Sequence, residues 1–119
     1  MYSSAKKLPS VELLKERFEI DPSSLTGLRY KSNVGTKIKA GQVAGTYNTS
    51  GLGVPFYQVG INYSLYQVHR IIWKMLNGKD PDQVIDHIDN NPLNNNISNL
   101  RDVTQGENLL NRKDFQVNA

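Results

Sequence analysis

The feature of this sequence that most restricts its fold is a run of ten residues, 90–99, that contains six asparagines. Two apolar residues, Val84 and Ile85, lead into Asp86 ahead of this run, and LRDV, which begins and ends with an apolar residue, follows it at 100–103. Short apolar stretches bounded by turn-forming residues are typical of β-strands. A polar segment of this length belongs at the surface, where water can satisfy its backbone. The pattern therefore predicts two strands joined by a long polar loop.

A helix is predicted directly after the second strand. Thr104 is followed by Glu107 at the spacing of a capping box, in which each side chain bonds a backbone N–H at the start of a helix. The order strand, loop, strand, helix brings the strand ends and the first helical turns toward one small site. The polar side chains at these positions are Asp86, His87, Asn99 and Asn108.

These residue types suit hydrolysis of a phosphodiester bond. Oxygen ligands without thiolates favour Mg²⁺, Mn²⁺ or Ca²⁺, and a chain without cysteine has no zinc-thiolate site. A neutral histidine, with an ordinary pKa of about 6.5, can take a proton from water near neutral pH. Neighbouring residues of a regular strand point to opposite faces, so Asp86 and His87 can share a site only if the chain distorts there. Taken singly, a histidine or an asparagine-rich loop is more often structural.

The residues DHIDNN, followed by NNNISNLRDVTQGEN, resemble the HNH endonucleases, in particular the phage and homing-type branch with its ββα-metal site. The earlier part, from LLKERFEIDPSSLTG to YQVHRIIWKM, is similar to the lobe that precedes the motif in small phage HNH proteins. The resemblance implies that Asp86 and Asn108 are metal ligands and that His87 is the general base. It implies that Asn99 ties the long loop to the frame and so helps to orient His87. Asn90 stands where the family often has glycine, and asparagine also tolerates a left-handed turn.

This resemblance implies a DNA endonuclease that uses one divalent cation, Mg²⁺ or Mn²⁺, per site. One such site cuts one strand, so a monomer is expected to nick, and a double-strand break needs a homodimer or two binding events. Two other interpretations stay open at this point. One is a DNA-binding module that keeps the ββα frame without catalysis, and the other is a structural protein with a metal-stabilised loop.

The charge distribution is uneven along the chain. The segment 22–79 holds seven basic residues and no acidic ones, whereas residues 80–119 hold seven acids and three bases. A segment without carboxylates suits contact with a polyanion such as DNA, although a mildly basic surface accounts for it as well. The candidate phosphate-binding residues are Lys37, Lys39, Arg70, Arg101, Arg112 and Lys113. His69 is expected to be a histidine of the core.

The fold class that follows is α+β, with an N-terminal lobe at 1–79 and the ββα motif at 80–119. The lobe is predicted to contain short antiparallel strands and two helices. The first helix is capped by Ser10 and extends to about Glu19. The second ends at Gly78, which suits a left-handed helix terminus.

The start of the second helix has two solutions. Ser64 and Gln67 resemble a capping box, which would begin the helix at once. Alternatively, Asn62 and Tyr63 form a hairpin turn, SLYQV is a returning strand, and the helix begins near His69.

The chain carries no apolar run long enough for a membrane span, and its first residues do not resemble a signal peptide. We therefore expect a protein without membrane contact, in the cytoplasm of a bacterium or of a phage-infected cell. At 119 residues, it is long enough to bury a core of its own.

Overall fold

The computed structural model describes residues 7–49, 53–81 and 84–103. These residues form two α-helices, seven short strands and a 3₁₀ turn, and every strand pair is antiparallel. The predicted α+β class is confirmed. In chain order the elements are α1 (Val11–Arg17), β1 (Phe18–Ile20), β2 (Leu28–Tyr30), β3 (Thr46–Thr49), β4 (Pro55–Ile61), β5 (Ser64–Gln67), α2 (Val68–Asn77), β6 (Val84–His87), the 3₁₀ turn (Ile97–Asn99) and β7 (Leu100–Val103).

The first helix is shorter than predicted. Ser10 caps it as expected, its hydroxyl accepting a hydrogen bond from the N–H of Leu13 at 3.2 Å. The chain then becomes extended at Phe18, and β1 pairs with β2. The Phe18 ring is fully buried and lies 5.3 Å from the ring of Tyr30. The prediction that the helix extends to Glu19 was wrong, because pairing with β2 and burial of Phe18 outweigh local helix propensity.

The second half of the lobe is a three-stranded sheet followed directly by a helix. The strand order is β3-β4-β5, and α2 begins at Val68 without an intervening loop. Asn62 and Tyr63 both have positive φ, 49° and 69°, as a two-residue hairpin of type I′ requires. The hairpin alternative is thus confirmed. Gly78 ends α2 in the left-handed conformation, with φ of 80°.

One hydrophobic core joins the N-terminal lobe to the last two strands. Its fully buried members include Leu14, Phe18, Leu28, Ile61, Val68, Ile71 and Ile72. Ile85 of β6 and Leu100 of β7 belong to the same cluster. The lobe therefore supports the strand pair on which the candidate site lies.

An ion pair between the buried Lys74 and the partly exposed Asp80 links the end of α2 to Leu8. The Lys74 ammonium lies 2.7 Å from an oxygen of Asp80, and the other carboxylate oxygen accepts the N–H of Leu8 at 3.0 Å. Burial alone would raise the pKa of Asp80, but the hydrogen bonds from Lys74 and Leu8, with the charge of Lys74, hold it below its ordinary value. A depressed carboxyl pKa contributes stability above the unfolded pKa of about 3.9, and that contribution is lost as the pH falls through the folded value.

Replacing Asp80 with asparagine is therefore expected to destabilise the fold at pH 7 but not at low pH. The loss should be about 2 kcal/mol at pH 7, because Lys74 stays charged and buried without its carboxylate. At a second pH, below the lowered folded pKa of Asp80, the wild-type carboxyl is protonated, so the difference should largely disappear. Urea unfolding at both pH values measures this, with the exposed Glu16→Gln as control. An equal difference at the two pH values would contradict the role of the ion pair.

Candidate active site

The candidate site is built on the antiparallel pair β6–β7. Two strands were predicted here, and the register pairs Asp86 with Arg101 and His87 with Leu100. Beyond the strands, the N–H of Ile88 donates to the carbonyl of Asn99 at 2.8 Å. Asn90 turns the chain with a positive φ of 62°, the left-handed turn that asparagine was expected to tolerate. The predicted helix with Asn108, Arg112 and Lys113 lies outside the described residues.

His87 is held between two side chains. Its Nε2 lies 2.9 Å from Oδ1 of Asn95, and its ring meets the ring of His69 edge-on, with centroids 4.9 Å apart. Burial lowers the pKa of His87 below its ordinary value, and the Asn95 hydrogen bond and the charges of Asp89 and Asp86 oppose this only in part. His87 is therefore neutral at pH 7, which is the form that can accept a proton.

His69 lies in the first turn of α2 and is partly buried. Burial lowers its pKa to about 3, and repulsion from His87, when that ring is protonated, and from Arg70 adds to the effect. His69 therefore stays uncharged beside His87 over the physiological range. The sequence indicated a core histidine and carried no sign that its ring would touch the candidate base.

Asp86 is buried and paired with a cation. Its side chain is 4% exposed, and Oδ2 accepts from Nη2 and Nε of Arg101 at 2.9 and 3.2 Å. The strand is regular through His87, so Asp86 and His87 contact different partners, as strand geometry requires. Their charges still interact, since Asp86 raises the pKa of His87. Arg101 thus lies beside the candidate site, with a side chain that is 43% exposed.

Asn99 ties the long loop to the strands. Its Oδ1 accepts the N–H of Asp89 at 2.9 Å, and its Nδ2 donates to the Asp89 carboxylate at 2.9 Å and to the Asn94 carbonyl at 2.8 Å. The residue is 7% exposed. Both N–H groups and the oxygen of this buried amide are thereby hydrogen-bonded within the loop.

The other candidate residues are dispersed over the N-terminal lobe. Arg70 is 8% exposed, and its charge acts on the pKa values of His69 and Asp80. Lys37 and Lys39 are exposed in the loop between β2 and β3. The structure therefore gathers Asp86, His87, Asn99 and Arg101 around one strand pair.

Sequence reasoning missed Asn95. It is one of six asparagines in a ten-residue run, and its spacing does not distinguish it from its neighbours. In the structure it is 5% exposed and contacts both His87 and the N-terminal lobe. Burial of a polar side chain in a polar loop was the missing signal, and burial is a tertiary property.

The donor chemistry at this site suits a hard cation. Asp86 supplies a carboxylate, and the loop carries amide oxygens, the ligand types that Mg²⁺ and Mn²⁺ prefer. Within residues 7–49, 53–81 and 84–103, no group of three or more histidine, cysteine or acidic side chains is placed to hold a metal ion. If Asp86 binds a cation, the other ligands would therefore be groups of another type, such as amide oxygens, or would lie outside these residue ranges.

Comparison with known proteins shows what the segment that carries this site is similar to. Residues 66–110 match the family model described as HNH endonuclease. Over 63 residues, the chain is 41% identical to a protein of Acanthamoeba polyphaga mimivirus that is described as an uncharacterized HNH endonuclease. That alignment covers 51% of this chain and 34% of the relative, so the chain spans about a third of its length. No solved structure matches.

Together the family match and the viral relative show that this part of the chain is similar to HNH endonucleases, as its motif indicated. The matched segment begins at the end of β5 and includes α2, both site strands and the loop between them. The described helices include none long and apolar enough to cross a bilayer.

Proposed function

We propose that this protein is a metal-dependent HNH endonuclease that hydrolyses phosphodiester bonds in DNA. The observation that carries the proposal is His87, a neutral imidazole at the end of β6 that is held by Asn95 and is adjacent in sequence to Asp86. A neutral histidine fixed in one orientation can act as a general base toward a water molecule. The family match supports the nuclease class.

In the proposed reaction, His87 takes a proton from water while the water oxygen forms a bond to phosphorus. The bond from phosphorus to the leaving oxygen breaks, and that oxygen gains a proton from solvent. Asn99 keeps the loop after His87 in place through its bonds to Asp89 and Asn94. An orientated base of this kind typically contributes about 10²- to 10⁴-fold to the rate.

Asp86 and Asn108 are proposed to hold one Mg²⁺ or Mn²⁺. When bound, such a cation stabilises the charge that develops on the phosphate and on the leaving oxygen. We also propose that the Arg101 guanidinium contacts a phosphate beside the site; its ion pair with Asp86 and its partial exposure support this.

The DNA is proposed to lie across the carboxylate-free segment, 22–79, and the site strands. Lys37 and Lys39 are exposed and suited to phosphates at a distance from the cut, while Arg70, Arg112 and Lys113 are proposed nearer to it. A single site cuts a single strand, so the expected product is a nicked duplex, and a homodimer is proposed for double-strand breaks.

The test is to incubate supercoiled plasmid with the protein in Mg²⁺, in Mn²⁺ and in EDTA. Nicked circles that form only with a metal support the proposal. Plasmid affinity that falls steeply as the salt concentration rises, with no cleavage in either metal, would instead indicate a DNA-binding module with the ββα frame. A melting temperature raised by metal with no affinity for DNA would indicate a structural role for a metal-stabilised loop.

A further inference from the structure

Asn95 bridges the N-terminal lobe and the candidate base. Its Nδ2 donates to the backbone carbonyl of Thr26 at 3.2 Å, and its Oδ1 lies 2.9 Å from Nε2 of His87. Residues 26 and 95 are 69 positions apart in the chain, and Asn95 is 5% exposed. A buried amide with a partner at each end has no freedom to turn without losing both contacts.

The Thr26 carbonyl determines which way this amide points. A carbonyl oxygen can only accept, so it requires the NH₂ group of Asn95 on its side. The amide oxygen must then face His87. Because that oxygen also only accepts, Nε2 of His87 must carry the hydrogen in this contact. In the neutral ring the lone pair is then on Nδ1.

Thr26 is itself held firmly. It is 1% exposed, and its hydroxyl donates to the carbonyl of Ala44 at 2.5 Å. The next residue, Gly27, has φ of +92°, and a Cβ built on it would lie 2.9 Å from Cδ1 of Ile72 and 3.5 Å from Cβ of Asn95. This close approach lets the turn before β2 reach the asparagine-rich loop.

We infer that Asn95 is a positioning residue through which the N-terminal lobe selects the tautomer and orientation of His87. The Thr26 carbonyl orients Asn95, and Asn95 directs the Nε2–H of His87 into the protein, which leaves Nδ1 as the proton-accepting nitrogen. The N-terminal lobe is then part of the active site as well as a surface for DNA. The kinetic consequence of this inference rests on the proposed function, whereas the tautomer of His87 does not.

The first test is nitrogen-detected NMR of the histidine rings in the full-length protein without DNA. The chain has two histidines, so a His69→Gln variant assigns both signals. We expect His87 to be in the Nε2–H form at neutral pH, with an N–H proton that exchanges slowly because Asn95 shields it. In Asn95→Ala that proton should exchange too fast to observe. A wild-type His87 in the Nδ1–H form, or an unchanged N–H signal in Asn95→Ala, would overturn the inference.

The second test is kinetic and uses a matched asparagine of the same loop. Asn95→Ala should lower kcat for plasmid nicking about 10²-fold, with KM changed by less than about twofold, because a base held in the wrong geometry loses about this much. Asn96→Ala is the control, since the Asn96 side chain is exposed and, among the described residues, accepts hydrogen bonds from Ser98 alone. Equal rates for the two variants would refute the positioning role. A wild-type protein that nicks nothing would defeat the proposed function and leave the NMR result to decide the tautomer.

Discussion

Replacing His87 with alanine is expected to lower metal-dependent nicking of plasmid DNA by roughly 10³-fold. The imidazole is the proposed base, neutral and held by Asn95, and alanine offers no atom that can take a proton from water. DNA binding should persist, because the basic residues of the lobe are unchanged. Initial rates in Mg²⁺ and in Mn²⁺, measured beside a gel-shift titration, separate the two effects.

The matched control for this variant is Ser98→Ala. Ser98 lies in the same loop and is exposed, and its hydroxyl donates to the exposed side chain of Asn96, so its loss should leave nicking within about twofold of wild type. Thermal unfolding of both variants checks that the fold is retained. Cleavage that survives His87→Ala in a preparation free of contaminating nuclease would show that another group is the base.

Replacing Asn99 with alanine is expected to destabilise the protein by about 2–3 kcal/mol. The variant loses three hydrogen bonds and leaves the N–H of Asp89 and the carbonyl of Asn94 without the partners they now have, at a net cost of about 1 kcal/mol each. For a domain of this size the melting temperature should fall by roughly 10 °C. Nicking should fall with it even well below the melting temperature, since the loop after His87 is no longer braced.

Two further variants sharpen this prediction. Asn96→Ala also removes an asparagine of the loop, but its bonds are exposed and local, so it should cost less than about 1 kcal/mol. Asn99→Asp preserves the shape of the side chain but sets a second carboxylate against Asp89, and it should destabilise the protein at pH 7 as much as alanine does. Asn99 and Asn96 variants with equal melting temperatures would contradict the bracing role.

Local patterns predicted most of the elements correctly. The correctly predicted features each depend on residues that are close together in the chain. They are the cap at Ser10, the helix end at Gly78, the left-handed Asn90 and the two site strands. The first helix was predicted too long because nothing local to Phe18 reveals the strand with which it pairs. For the same reason the sequence left two starts open for α2, and pairing of β5 with β4 decided between them.

The sequence and the tertiary structure likewise each determined a part of the candidate site. The sequence by itself determined the strand–loop–strand frame and the presence of an acid, a histidine and an asparagine at its ends, because their order and spacing are properties of the chain. The tertiary structure alone decided which of six loop asparagines supports His87, that His69 packs against it, and that Asp86 is paired with Arg101. These contacts join residues 8 to 18 positions apart, and their partners are chosen by burial and by the cross-strand register. Neither can be obtained from local propensity, since both depend on how the whole chain packs.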